Sequence, residues 1–128
     1  MKAEELIAIA KKAREHAYAE YSKFYVGAAL LTDDGRVFSG CNVENASYGL
    51  TICAERNAVA KAVSEGARRI SAIAVVSGPG ASMCGACRQV VSEFCDDATV
   101  YLADKSGAFR VTSVKELLPG SFKGEHLG

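Results

Sequence analysis

Three thiols and one carboxylate constrain this chain more than any other feature. Cys53-Ala54-Glu55 is followed some thirty residues later by Cys84-Gly85-Ala86-Cys87. Three thiolates can hold one zinc and leave a fourth position open. Structural zinc sites are closed by four protein ligands, whereas catalytic ones keep a place for water. Side chains at i and i+2 diverge on the flank of a helix. Cys53 and Glu55 can therefore share a metal only from a first helical turn, whose open end faces the ligand. Cys84 and Cys87 obey the same argument. The expectation is two helices that start at Cys53 and Cys84 and aim their N-termini at one metal.

The charge of such a centre needs an offset. Zinc with three thiolates is formally minus one, and a bound hydroxide makes it minus two. Each helix N-terminus presents roughly half a positive charge and free N–H groups for the sulfurs. Arg56, three residues after Cys53, and Arg88, directly after Cys87, are expected to offset the remainder, with Arg56 assigned the charge-tuning role. Cys41 and Cys95 lack ligand spacing to the cluster and read as small buried apolar residues. Water is then the fourth ligand, and Glu55 is the group placed to take its proton. Alone, Glu55 would be a first-turn carboxylate that suits the helix dipole; beside Cys53 it reads as catalytic.

The rest of the chain supplies a scaffold. Ala3 to about Ala19 carries Leu6, Ala10, Ala13 and Ala17 on one helical face. Val26–Leu31 and Val37–Asn42 flank Asp33-Asp34-Gly35 and predict a hairpin. Gly27 leaves room for something to come close. A polar loop from Asn42 to Gly49 follows. A helix is expected from Cys53 to Gly66, a buried strand over Ile70–Ser77 and a helix over Cys84–Phe94. Strands over Ala98–Ala103 and Phe109–Thr112 come next, then a short helix over Val114–Leu118 and a loose tail after Phe122. Strand–helix–strand units imply parallel neighbours with right-handed crossovers. The fold class is α/β, three-layer α/β/α, with one mixed five-stranded sheet.

Length and composition narrow the function. The 128 residues suit one domain, 1–128. Fifteen basic and fifteen acidic residues cancel to a formal charge of +0, which argues against a nucleic-acid surface. No run of eighteen apolar residues is present to cross a membrane, and the charged start lacks the apolar stretch of a signal peptide. Five cysteines, two of them in a C-x-x-C, point to metal or redox chemistry in a cytoplasmic protein more than to a disulfide framework.

Five ordered segments resemble the small, tetrameric form of cytidine deaminase over nearly the whole length. They are YSKFYVGAAL from Tyr21, GCNVENASYG from Gly40, CAER from Cys53, CGACRQV from Cys84 and ELLPGSF from Glu116. The resemblance implies the cytidine and deoxycytidylate deaminase family. It implies hydrolytic deamination of cytidine and deoxycytidine, with zinc-bound hydroxide attacking C4 and Glu55 as proton shuttle. Cys53, Cys84 and Cys87 would bind one zinc per subunit. Asn42 and Glu44 would hold the ribose hydroxyl, the Ala54 carbonyl and Glu55 would read the pyrimidine edge, and Phe24 would pack near the nucleoside. Phe122 would come from a neighbouring subunit of a homotetramer to cover the base. One departure is Met83, where the family has Pro before the first Cys of the C-x-x-C; the loop is expected to be looser there. The rival readings are a deaminase of a modified cytosine nucleoside such as blasticidin S, a polynucleotide-editing deaminase, and a non-enzymatic zinc module that would need Cys41 or Cys95 as a fourth ligand.

Overall fold

A computed structural model describes residues 1–128. The elements are α1 (Ala3–Arg14), β1 (Val26–Thr32), β2 (Val37–Cys41), α2 (Ala54–Ser64), β3 (Ile70–Ser77), α3 (Gly85–Glu93), β4 (Thr99–Ala103), β5 (Phe109–Ser113) and α4 (Val114–Leu117). Single 3₁₀ turns occur at Tyr48–Leu50 and Gly124–Leu127. One five-stranded sheet runs in the order β2-β1-β3-β4-β5. The β3–β4 pair is parallel and the other three are antiparallel. The mixed sheet expected from the sequence is the one observed.

Strand alternation divides the core between the two faces. Ile73 and Val75 of β3 join Ala28 and Leu30 of β1 and Val100 and Leu102 of β4 beneath α2 and α3. Ala72, Ala74 and Val76 face the other way, with Ala29, against Leu6, Ile7 and Ala10 of α1. Two glycines let the helices approach. A Cβ on Gly27 would stand 2.0 Å from the Ala10 carbonyl oxygen of α1. One on Gly40 would stand 2.6 Å from the Ala58 nitrogen of α2. The space expected at Gly27 is thus filled by a helix backbone.

Strand direction then positions the site. β2 and β3 are each antiparallel to β1, so they run the same way, and β4 runs with β3. The helix after β2 and the helix after β3 therefore both begin at the same end of the sheet. Both also pack on the same face. Two helix N-termini are brought side by side by topology alone.

Three local expectations are revised. α1 stops at Arg14, and Ala17 and Ala19 lie beyond it. The Tyr18 N–H donates to the Asn42 carbonyl at 3.0 Å and the Tyr18 carbonyl accepts from the Glu44 N–H at 2.8 Å. Pairing with the polar loop replaces helical bonds that the apolar spacing would have allowed. The tail is not loose throughout: Lys123 Nζ donates to the Ser92 carbonyl at 2.6 Å, tying it to the end of α3. Cys41 is only half-buried, whereas Cys95 is buried as expected.

Candidate metal centre and its pocket

Cys53 is the N-cap of α2 and Cys84 the N-cap of α3, both in extended backbone conformation. Cys87 lies in the first turn of α3. Cys53 Sγ is 3.9 Å from Cys84 Sγ, and Cys84 Sγ is 3.4 Å from Cys87 Sγ. All three sulfurs lie within 4.8 Å of one another. Thiolates at the corners of a tetrahedron, about 2.3 Å from a zinc, stand roughly 3.8 Å apart. The donor set and its spacing fit zinc. Cys41 and Cys95 lie outside the group, so a fourth protein thiol does not close it.

The two arginines part company. Arg56 Nη2 donates to Cys53 Sγ at 3.8 Å and to the Thr51 carbonyl at 3.2 Å. Its Nε and the Thr51 Oγ1 are buried with no partner within the chain. Arg88 turns away from the sulfurs. Its Nε donates to the Met83 carbonyl at 2.8 Å, Nη1 to the Leu117 carbonyl at 2.6 Å and Nη2 to Ser82 Oγ at 3.1 Å. Arg88 therefore fastens the loop before Cys84 and the C-terminal segment instead of tuning the cluster. Met83 itself is 2% exposed and belongs to the core beneath α2 and α3. Its burial and the arginine on its carbonyl anchor the segment that proline would otherwise have stiffened.

Proton positions follow the geometry. The neighbouring Cys87 thiol, with the Arg56 guanidinium and Cys84, brings the Cys53 thiol down to about 5 against the pull of burial. Cys87 is pushed up, first by the neighbouring Cys53 and then by burial. Zinc binding replaces such protons. Glu55 is 5% exposed. Burial pushes its carboxyl up to about 7, and the Cys53 thiolate adds to the rise.

A cavity of about 400 Å³ opens onto the cluster and brings together seven of the ten site residues expected from the sequence, all but Cys87, Arg56 and Phe122. Cys53, Cys84, Ala54 and Glu55 line it together with Phe24, Asn42 and Glu44. Asn42 and Glu44 are buried polar residues. Asn42 Oδ1 accepts from the Val26 N–H at 2.9 Å and Nδ2 donates to the Phe24 carbonyl at 2.8 Å. An amide has two N–H donors, so one remains for a ligand. Val26 and Val75 supply apolar wall, and Ser22, Tyr48 and Ser82 also reach the cavity. Ser22 was missed because Tyr21-Ser22-Lys23-Phe24 reads only as a break in pattern; serine's habit of bonding nearby backbone was the available signal.

Phe122 is not brought into this cavity. It is 55% exposed, its ring meets His126 at 5.6 Å, and its carbonyl accepts from Gln89 Nε2 at 2.9 Å. A second cleft, of about 470 Å³, lies under the end of α1 beside Lys11, Lys12 and Arg14, and offers no thiol.

A three-thiol zinc centre at two helix starts, with a buried carboxylate beside it on an α/β/α sandwich, defines a zinc-dependent hydrolase of the deaminase class. The chain belongs to the cytidine and deoxycytidylate deaminase family, matching its zinc-binding region over residues 1–103. It is 55% identical to a cytidine deaminase of Sporosarcina psychrophila, with 99% of this chain and 96% of that protein covered. It superimposes on the crystal structure of cytidine deaminase from Burkholderia pseudomallei with a TM-score of 0.91 and 53% identity, covering 95% of this chain and 100% of that one. A blasticidin-S deaminase of Bacillus cereus is a more distant relative, 32% identical over 90% of this chain and 88% of its own length.

Proposed function

We propose that this chain hydrolyses cytidine and deoxycytidine to uridine and deoxyuridine, releasing ammonia. The observation that carries the reading is the buried Glu55 carboxyl beside three thiols, in a cavity that Asn42 and Glu44 also line. Cys53, Cys84 and Cys87 hold zinc, which when bound supplies a Lewis acid that makes water nucleophilic near neutral pH. Glu55 accepts a proton from the attacking water and delivers protons to the pyrimidine N3 and to the leaving amine. A group that must both take and return a proton works best with a pKa near ambient, and burial moves Glu55 towards that range. The Ala54 carbonyl and Glu55 hold the pyrimidine edge. Phe24 packs against the nucleoside, and Asn42 and Glu44 take a sugar hydroxyl.

Loss of ultraviolet absorbance on adding cytidine tests this. The wild type consumes cytidine, whereas Glu55→Gln retains zinc and is slower by about 10²–10⁴-fold, the usual worth of a positioned acid–base group. Wild-type protein with one zinc and no absorbance loss overturns the reading. Blasticidin S and single-stranded RNA, run beside cytidine, separate the rival substrates.

We infer further that the chain acts in the cytoplasm as a homotetramer with active sites at subunit contacts. Five free cysteines suit a reducing compartment. Phe24 and Tyr48, which line the cavity, leave 43% and 59% of their surface exposed, an apolar rim of the kind that marks interaction sites. Phe122 stands outside its own cavity, which suits a role in a neighbour's.

A further inference from the structure

The turn from Tyr21 to Phe24 is fastened to the cavity through one side chain. The Ser22 hydroxyl donates to Glu44 Oε2, and its oxygen accepts from the Phe24 N–H at 3.0 Å. The Tyr21 and Ser22 N–H groups donate to Glu44 Oε1 at 3.0 Å and 3.1 Å. Lys23, between them, has φ 61°, a left-handed backbone that a side chain tolerates only when its surroundings hold it. A carboxylate offers about four acceptor positions. The turn occupies three, and one on Oε2 remains for a ligand in the cavity that Glu44 lines. Ser22 also lines that cavity. One hydroxyl therefore sets the carboxylate on one side and the Phe24 backbone on the other.

We propose that Ser22 is a positioning residue for sugar recognition, locking Glu44 and Phe24 into one rigid unit so that nucleoside binding, and not proton transfer, depends on it. The proposal rests on the reading of Glu44 as the sugar contact. It differs from a purely structural role for Ser22 because the loss must follow the sugar hydroxyls of the ligand. With those hydroxyls present, a misplaced carboxylate forfeits a charge-assisted hydrogen bond. With them absent, it forfeits little.

The test compares wild type, Ser22→Ala and Ser22→Thr on cytidine and on 2′,3′-dideoxycytidine, with thermal midpoints as a folding check. Ser22→Ala raises KM for cytidine about tenfold, the scale of one hydrogen bond to a charged group, with kcat within about threefold. The KM for dideoxycytidine moves by less than about threefold, and Ser22→Thr, which keeps the hydroxyl, recovers most of the loss. Ser22→Cys takes the place of Ser22→Ala if the latter does not fold. Calorimetric Kd values for both nucleosides accompany the kinetics. If wild type binds cytidine without turning it over, the reaction assigned above fails while Kd still reads the effect of Ser22. An unchanged KM and Kd, an equal loss on both nucleosides, or a fall in kcat alone overturns the role of Ser22.

Discussion

Arg56 comes three residues after Cys53 and Arg88 directly after Cys87, yet only Arg56 faces a sulfur. The difference is one of helical position. Arg56 is in the first turn of α2, and Arg88 is one residue past Cys87 on a different side of α3. Arg56→Ala is expected to weaken zinc retention about tenfold, since it removes a charge-assisted contact from a thiolate. Competition with a chromophoric chelator measures this, and unchanged retention together with unchanged turnover would sink the charge-tuning role. Glu44 carries a second residue-scale consequence. The Ser22 hydroxyl, helped by the Ser22 and Tyr21 N–H groups and by Lys23, keeps its carboxyl below the ordinary 4.5, against the opposing effect of burial. A carboxyl lowered in the folded state adds stability that is present above its ordinary value and is lost as pH falls through the lowered one. Urea midpoints of the wild type should therefore fall more steeply below about pH 4.5 than those of Glu44→Gln. Parallel curves would show that Glu44 has no part in acid sensitivity.

At the scale of elements, close approach is what the sheet trades on. The backbone of α1 occupies the place of a Gly27 side chain, and the Ala10 carbonyl oxygen there is a main-chain atom that cannot swing aside. Gly27→Ala must displace α1, and overpacking of this kind costs about 3 kcal/mol. Its urea midpoint should drop while metal binding survives in the folded fraction, because the zinc ligands ride on the opposite face. Met83 provides the complementary case. Met83→Ala removes a buried side chain just before a ligand and is expected to cost about 2–4 kcal/mol. The loop stays tethered through the Met83 carbonyl and Arg88, so zinc content in the folded protein should change less than stability does. A large loss of zinc at full folding would mean that the side chain, and not the tether, sets the loop.

At the scale of the whole molecule, the C-terminal segment is held outward by α3. Arg88 binds the Leu117 carbonyl, Gln89 the Phe122 carbonyl, and Lys123 the end of the helix. The helix that carries two of the three thiols thus also aims Phe122 away from its own cavity. If Phe122 serves a neighbour, Phe122→Ala lowers kcat/KM by about tenfold, as expected for a lost aromatic contact. Reassembly of Phe122→Ala with inactive Glu55→Gln should then raise activity above that of Phe122→Ala alone, because mixed assemblies contain intact pairs. Activity that merely adds would exclude a shared site.

Much of this molecule is local information. The hairpin is legible in Asp33-Asp34-Gly35 between apolar runs, and Gly66, at φ 93°, ends α2 where its position suggested. The metal site is legible for a related reason: two short Cys motifs can use one metal only from helix starts, and helix starts have a recognisable place after a strand. Other features were settled by bonds between residues far apart in the chain, which no local pattern encodes. The end of α1 depends on Tyr18 meeting Asn42 and Glu44. The direction of Arg88 depends on Leu117, twenty-nine positions away, and the setting of Glu44 on Ser22, twenty-two away. The cysteines and Glu55 name the chemistry because few residue types can do it. Which polar groups surround them follows from which backbone carbonyls and N–H groups the packed sheet leaves in need of a partner.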